Sequence, residues 1–219
     1  KNIKKLPMPI GISDYKKLVT EYYYVDKTLL LRDFLDSRPQ VSLFTRPRRF
    51  GKTLAMDMVK TFFEIGISDS QEYFKDKKIW SCGEEYRKEQ GKYPVIFLTF
   101  KDVKCASWDE TFKKIRRLIS LEFLRHRELA SSPVLNTYEK EQFSLLANGK
   151  ADEVDCEMSL QLLSLFIGIM VNPQLLSLTN MTLRFSRDIP PDIMRKSLAL
   201  CETCFQAPSR TTQILRMGS

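Results

Sequence analysis

The chain has 219 residues, of which 43% are hydrophobic and 28% are charged, a composition ordinary for a soluble globular protein. No window approaches the roughly 18 consecutive apolar residues of a membrane span, so we expect no membrane partner. Five widely spread cysteines, an odd number, do not suggest a disulfide framework and favour a reducing cytoplasm. The net charge of +8 is open to three interpretations: nucleic-acid binding, acidic ligands, or a solvated basic surface.

The first elements along the chain are predicted to be two helices and a short strand. Ser13 and Asp14 can cap a helix that begins at Tyr15, and residues 28–35 have the apolar face of a second helix. Pro39 ends that helix, and the run "QVSLF" that follows is prone to form a strand.

A basic loop, "TRPRRFG", separates this strand from the next helix. The helix, "KTLAMDMVKTFFEI", has good helix formers and places Leu54, Met58, Phe62 and Ile65 on one stripe. The order is therefore strand, loop and helix, with the triplet Gly51-Lys52-Thr53 where the loop meets the helix.

Alternating elements continue through the middle of the chain and predict an α/β domain. The run "YPVIFLTF", residues 93–100, is almost continuously apolar, as a strand buried on both faces of a parallel sheet should be. Three helices are predicted after it: a long amphipathic helix that starts at Ser107 or Asp109, a short one ending near Gly149, and a third over Cys156–Phe166.

The chemistry of a phosphate-binding loop explains the Gly-Lys-Thr triplet. In such a loop a glycine lets the backbone approach the β-phosphate, a lysine reaches the β- and γ-phosphates, and a hydroxyl ligates Mg²⁺. Gly51, Lys52 and Thr53 can take these roles, with Thr53 as the metal ligand. The alternative is a chance match, because Arg46 stands where the motif's first glycine is expected. The strand before the loop and the helix after it favour the phosphate site.

Two segments carry a resemblance to a known family, "LPMPIGISDYKKLVTEYYYVDKTLLLRDFL" and "VSLFTRPRRFGKTLAMDMVKTFFEI". They resemble the bacterial family of predicted AAA-type ATPases, whose phosphate loop is itself spelled R-P-R-R-F-G-K-[ST]. The resemblance implies ATP and Mg²⁺ as ligands and a P-loop NTPase-type parallel sheet flanked by helices. It implies a nucleotide-binding segment made of Arg46, Pro47, Arg48, Arg49, Phe50, Gly51, Lys52, Thr53 and Leu54.

The C-terminal tail, residues 168–219, departs from the family. Members carry an apolar run ending in D-E-Y-D soon after the helix that matches Cys156–Phe166, and this chain has no such run. Only "LTFKD", ending in Asp102, imitates it, and it belongs to the other strand. Hydrolysis needs such an acid to hold Mg²⁺ and a carboxylate to position water. We therefore expect a P-loop domain over residues 1–167 that is incomplete on its C-terminal side, with hydrolysis in doubt and the catalytic residues unknown.

A change of reading frame accounts for the tail. In a shifted reading frame, each new codon takes the third base of one codon of this chain and the first two bases of the next codon. Read in this way, the codons from Ile169 onward can encode "YGKPTVVIIDEYDTPIQQGY", an apolar strand followed by the acidic motif. We therefore predict that a single frame change near Phe166–Gly168 replaced the metal-binding strand with unrelated, poorly ordered sequence.

Two other functions stay open, and the remaining candidate residues are minor. The chain could be a nucleic-acid-binding module without turnover, or a truncated fragment without function. His126 is expected on a helix surface rather than in a catalytic site, and Cys201 and Cys204 lack the further ligands of a zinc site. The segment Tyr22–Tyr24 is predicted to be core and interface first and to lie near adenine second. Asp26 and Lys27 are predicted to be a helix cap first and a functional pair second.

Overall fold

A computed structural model describes residues 6–37, 41–43, 51–66, 70–99, 103, 105, 107–170, 181–183 and 214–216. The described residues fall into two units, which we call unit 1 (residues 1–40 and 44–95) and unit 2 (residues 41–43 and 96–219). Seven α-helices lie in the described ranges: α1 Tyr15–Glu21, α2 Leu29–Ser37, α3 Lys52–Phe63, α4 Glu84–Arg87, α5 Trp108–Arg125, α6 Thr137–Ala147 and α7 Glu153–Met170. Their strands are β1 Val41–Leu43, β2 Ile96–Phe97, β3 Met181–Leu183 and β4 Ile214–Arg216.

The predicted fold class, a P-loop NTPase-type parallel sheet flanked by helices, is wrong for this structure. The described residues are mostly helical, and each strand has only two or three residues. These short strands pair in parallel in the order β1-β4-β3-β2, so two of the four come from the C-terminal tail.

The apolar run at residues 93–100 shows why the expected sheet is so small. Only Ile96–Phe97 forms a strand, while Tyr93 makes an isolated bridge with Glu64. Pro94 lies between them and has no N–H group to continue a ladder of hydrogen bonds. The continuous hydrophobicity of the run indicates that it is buried, and an irregular segment can be buried as well as a long strand can.

Aromatic rings form the core of unit 1. The side chains of Tyr15, Phe62, Phe63 and Phe74 are fully buried. The rings of Tyr15 and Phe74 stack with centroids 5.2 Å apart, and Phe62 meets Phe63 and Phe74 edge to face at 5.1 Å. These arrangements are the ones that aromatic quadrupoles favour. The predicted cap of α1 is confirmed, because the Asp14 carboxylate accepts a hydrogen bond from the Lys17 N–H at 2.8 Å.

Unit 2 is built around a mainly aliphatic cluster between α5, α6 and α7. Buried side chains from these helices pack with those that follow β2, among them Leu98, Ile115, Phe123, Leu146 and Leu163. Ser107 caps α5, and a capping box between Asn136 and Glu139 begins α6. None of the helices in the described ranges combines the length and the apolar character needed to cross a lipid bilayer.

A buried charged cluster fastens β2 to α5 within unit 2. The Glu122 side chain is 5% exposed and accepts a hydrogen bond from the Phe97 N–H at 2.7 Å. It also accepts hydrogen bonds from Arg125 Nε at 2.9 Å and Arg125 Nη2 at 2.5 Å. Burial lowers the pKa of Arg125 to about 10, so the guanidinium is still charged at neutral pH. A backbone donor of β2 is thus satisfied by a carboxylate that is itself paired.

Candidate phosphate-binding site

Gly51 forms the junction between the basic loop and α3. Its backbone is in the left-handed region, with φ 72° and ψ 25°, and glycine adopts this conformation without a steric penalty. The Gly51 carbonyl accepts the Ala55 N–H at 2.9 Å, so the helix ladder begins at this residue. The predicted start of the helix at Lys52 is confirmed. A glycine therefore lies at the N-terminus of α3, which is the positive end of the helix dipole.

The other predicted binding residues in the described ranges lie in the first turn of α3. Lys52, Thr53 and Leu54 are half-buried, directly after the glycine. This places one ammonium and one hydroxyl at a helix N-terminus, where anions are favoured. Arg46, Pro47, Arg48, Arg49 and Phe50 lie outside the described residues, and their roles stay predictions.

Lys27 lies close to Gly51. A Cβ atom placed on Gly51 would lie 4.0 Å from Lys27 Nζ, the nearest atom in the described residues apart from Gly51 and its chain neighbours. Among the described residues beyond its chain neighbours, this ammonium is therefore the group nearest to the side of Gly51 that a side chain would occupy. The sequence predicts a helix cap first and a functional pair second for Asp26 and Lys27. Local patterns could not reveal this proximity, because the two residues are far apart along the chain.

The turn that carries Lys27 is fastened by hydrogen bonds on both sides. Asp26 Oδ1 accepts the Thr28 N–H at 2.8 Å and the Thr28 hydroxyl at 2.7 Å, and Asp26 Oδ2 accepts the Lys78 N–H at 2.7 Å. Thr28 Oγ1 in turn accepts the Ile79 N–H at 3.1 Å. Partial burial acts to raise the pKa of Asp26, but the hydrogen bonds from Thr28 and Lys78 outweigh it and lower that pKa.

Tyr24 connects the same turn to α3. Its hydroxyl accepts the Lys27 N–H at 3.1 Å and donates to Met58 Sδ at 3.5 Å. Its ring meets Tyr15 edge to face, with centroids 5.5 Å apart. Tyr23, by contrast, is 55% exposed. Tyr24 therefore has the packing role that was the first interpretation of the Tyr22–Tyr24 segment, and the adenine role of the segment stays a prediction.

Asp57 joins α3 to α1 behind the candidate site. It lies one turn after Thr53, and its Oδ2 accepts the Tyr15 N–H, the first of α1, at 2.7 Å. Burial raises the pKa of Asp57, and the hydrogen bond from Tyr15 only partly opposes that rise. This carboxyl group is engaged with the backbone of α1, a long-range contact that the sequence pattern did not indicate.

The minor candidates do not assemble a second site in the described residues. His126 was expected on a helix surface, but it is only 6% exposed, so that expectation is wrong. Its Nε2 lies 3.7 Å from Glu122 Oε1 and belongs to the charged cluster at the end of α5. No group of three or more metal-ligating side chains occurs in the described ranges. Asp102, Cys201 and Cys204 lie outside them.

The comparisons with known proteins give one match. The family model described as predicted AAA-ATPase matches residues 9–156, which is more than half of the chain and includes Gly51, Lys52, Thr53 and the basic loop before them. No curated protein and no solved structure matches the chain.

Proposed function

Because the chain belongs to the predicted AAA-ATPase family, we propose that it binds ATP together with Mg²⁺ at the N-terminus of α3. The observation that carries the proposal is the left-handed Gly51 directly before Lys52 and Thr53, inside the matched segment. A bacterial, cytoplasmic setting is part of the proposal and rests on the sequence alone.

The residues at this position fit a nucleotide phosphate chain. Gly51 has no side chain, and apart from its chain neighbours the described residues place only Lys27 Nζ as near as 4.0 Å to the position that a Cβ would take. A phosphate oxygen can therefore approach the backbone closely there. The dipole of the twelve-residue α3 points its positive end to the same place.

Each residue of the triplet has a separate role in the proposal. The Lys52 ammonium neutralises charge on the β- and γ-phosphates, and the Thr53 hydroxyl is a ligand for Mg²⁺. Arg46, Arg48 and Arg49 add positive potential from the loop. When bound, Mg²⁺ bridges phosphate oxygens and offsets their negative charge.

We propose further that this chain binds ATP without efficient hydrolysis. The acidic motif that would hold Mg²⁺ opposite Thr53 is missing from the sequence after Phe166. A frame change near Phe166–Gly168 explains the loss. Resequencing the gene across these codons tests that explanation, and a homologue carrying the same tail in frame would contradict it.

The role of Thr53 provides a direct test of the proposal. We expect Thr53→Ala to lose most of the Mg²⁺-dependent gain in ATP affinity, measured by titration with a fluorescent ATP analogue with and without Mg²⁺. Thr20→Ala is the matched control, since its hydroxyl only bonds to carbonyls of α1. ATP binding by Thr53→Ala that keeps the full Mg²⁺ dependence would count against the proposal. Absence of phosphate release by the wild-type protein would support binding without turnover.

A further inference from the structure

We infer that Lys27 is a second phosphate-binding cation of this site, beside Gly51 at the start of α3. The inference rests on the proposed function, because it extends the same nucleotide site. It adds a residue that lies outside the Gly-Lys-Thr motif and 24 positions before Gly51 in the chain.

The position of the Lys27 ammonium carries the inference. Apart from the chain neighbours of Gly51, Lys27 Nζ is the described atom closest to the Cβ position of this glycine, at 4.0 Å. A phosphate oxygen that approaches the Gly51 backbone would occupy this space, within the reach of an ammonium donor. The exposed lysine side chain can adjust its end by rotation without moving the backbone.

The backbone of Lys27 is held in register with α3. Tyr24 contacts Met58, which lies seven residues after Gly51 and so two helical turns further along the same face. The Lys27 N–H donates to the Tyr24 hydroxyl, and the neighbouring Asp26 and Thr28 are bonded to residues 78 and 79. The lysine therefore projects toward the start of α3 from a turn that is fixed before any ligand binds.

Lys27 forms no ion pair with a carboxylate in the part of the chain that the structure describes. Asp26, its neighbour, uses both oxygens for Thr28 and Lys78. The ion pairs described in unit 1 involve other residues: Arg32 with Asp33, Lys60 with Glu64, Lys77 with Asp76, and Lys92 with Glu89. A cation beside a helix N-terminus without a nearby anion raises the local affinity for polyanions.

The contribution of Lys27 should grow with the number of phosphates on the ligand. A point charge beside the polyphosphate chain discriminates ATP and ADP from AMP, whereas a residue that contacts adenine or only supports the fold would affect all three alike. Because the ammonium is exposed, solvent screening limits its effect to about fivefold in the dissociation constant.

Calorimetric titration with MgATP, MgADP and AMP tests this inference on four variants: Lys27→Gln, Lys27→Arg, Lys75→Gln and Lys52→Ala. We expect Lys27→Gln to weaken MgATP about fivefold and AMP less than about twofold, and Lys27→Arg to restore MgATP affinity. Lys75→Gln, which removes one exposed charge elsewhere in unit 1, should bind like the wild type.

The outcomes separate this inference from the proposed function. If Lys52→Ala loses MgATP binding while Lys27→Gln binds like the wild type, the inference about Lys27 is wrong and the proposed function stands. If Lys27→Gln weakens the three nucleotides equally, Lys27 is a supporting residue and the inference is also wrong. If Lys52→Ala binds MgATP like the wild type, the phosphate site itself is refuted, and the role of Lys27 with it.

Discussion

Buried or half-buried carboxylates fasten backbone N–H groups in both units, but they do so in different surroundings. In unit 1 Asp26 and Asp57 hold segments around the start of α3, and Asp26 remains partly open to solvent. In unit 2 Glu122 is 5% exposed and shares its oxygens between β2 and Arg125. The residues proposed for nucleotide chemistry all belong to unit 1. The difference indicates that unit 1 orders a turn beside the proposed nucleotide site, whereas unit 2 depends on a desolvated ion pair inside its core.

Truncation of the core aromatics should produce the largest losses of stability. Phe62 in unit 1 and Phe123 in unit 2 are both fully buried, so Phe62→Ala and Phe123→Ala should each cost about 3–5 kcal/mol in the free energy of unfolding. Urea denaturation followed by circular dichroism measures this loss. Tyr138→Ala, at a site 68% exposed, should change stability by less than about 0.5 kcal/mol. A loss as small as that of the control in either core variant would show that its ring is not packed as described.

Breaking the charged cluster of unit 2 should be the next most severe change. Glu122→Gln leaves the Arg125 guanidinium without its paired charge and should cost about 3 kcal/mol in the free energy of unfolding. Glu141→Gln is the matched control, because it removes one exposed carboxylate of α6, and it should cost less than about 0.5 kcal/mol. Equal effects of the two substitutions would contradict the buried role of Glu122.

Asp26→Asn should have a smaller effect that depends on pH. At neutral pH the variant places an amide donor against the N–H groups that Asp26 binds, and after allowance for solvent screening it should cost about 1 kcal/mol. The folded-state pKa of Asp26 is lowered, so its stabilisation exists above the unfolded pKa of about 3.9 and is lost as pH falls through the folded value. The difference in stability between the wild type and Asp26→Asn, from denaturation curves, should therefore be smaller near pH 3 than at pH 7. A constant difference would argue against the hydrogen-bonded carboxylate.

Asp57→Asn should have the smallest effect, and its pH dependence has the opposite sign. Burial raises the folded-state pKa of Asp57, so the ionised carboxylate costs stability once pH has risen through the folded value. The amide oxygen of the variant can still accept the Tyr15 N–H, and stability at pH 7 should change by less than about 0.5 kcal/mol. Thermal denaturation of the wild type and Asp57→Asn measures this change in stability. A loss as large as that of Asp26→Asn would contradict the prediction that Asp57→Asn has the smaller effect.

The sequence predicted the helices better than the sheet. Caps at Asp14 and Ser107 are local signals, and the helices that follow them are present. The apolar run at residues 93–100 is interpreted from sequence as a strand, yet in its described part, residues 93–99, only Ile96–Phe97 forms a strand beside the isolated bridge of Tyr93. Hydrophobicity reports burial but does not report backbone hydrogen bonding, and Pro94 removes the donor that a longer strand would need.

The start of α3 could be predicted from a contiguous motif, whereas the proximity of Lys27 to it depends on tertiary contacts. Gly51, Lys52 and Thr53 are adjacent in the sequence, and a loop that opens a helix could be read from local pattern. The proximity of Lys27 to Gly51 arises because Tyr24 packs on Met58 and Asp26 binds the Lys78 N–H. Such contacts between distant residues leave no periodic signal in a single sequence.

Calorimetric titration of the wild-type protein and Lys52→Ala with MgATP tests the central claim most directly. We predict a saturable, one-site isotherm for the wild type and an affinity lower by about a hundredfold for a folded Lys52→Ala sample, since a charge-assisted contact to phosphate is removed. Circular dichroism would establish that both samples are folded. No binding by folded wild-type protein, or equal binding by the two proteins, would contradict the assignment of an ATP site to the start of α3.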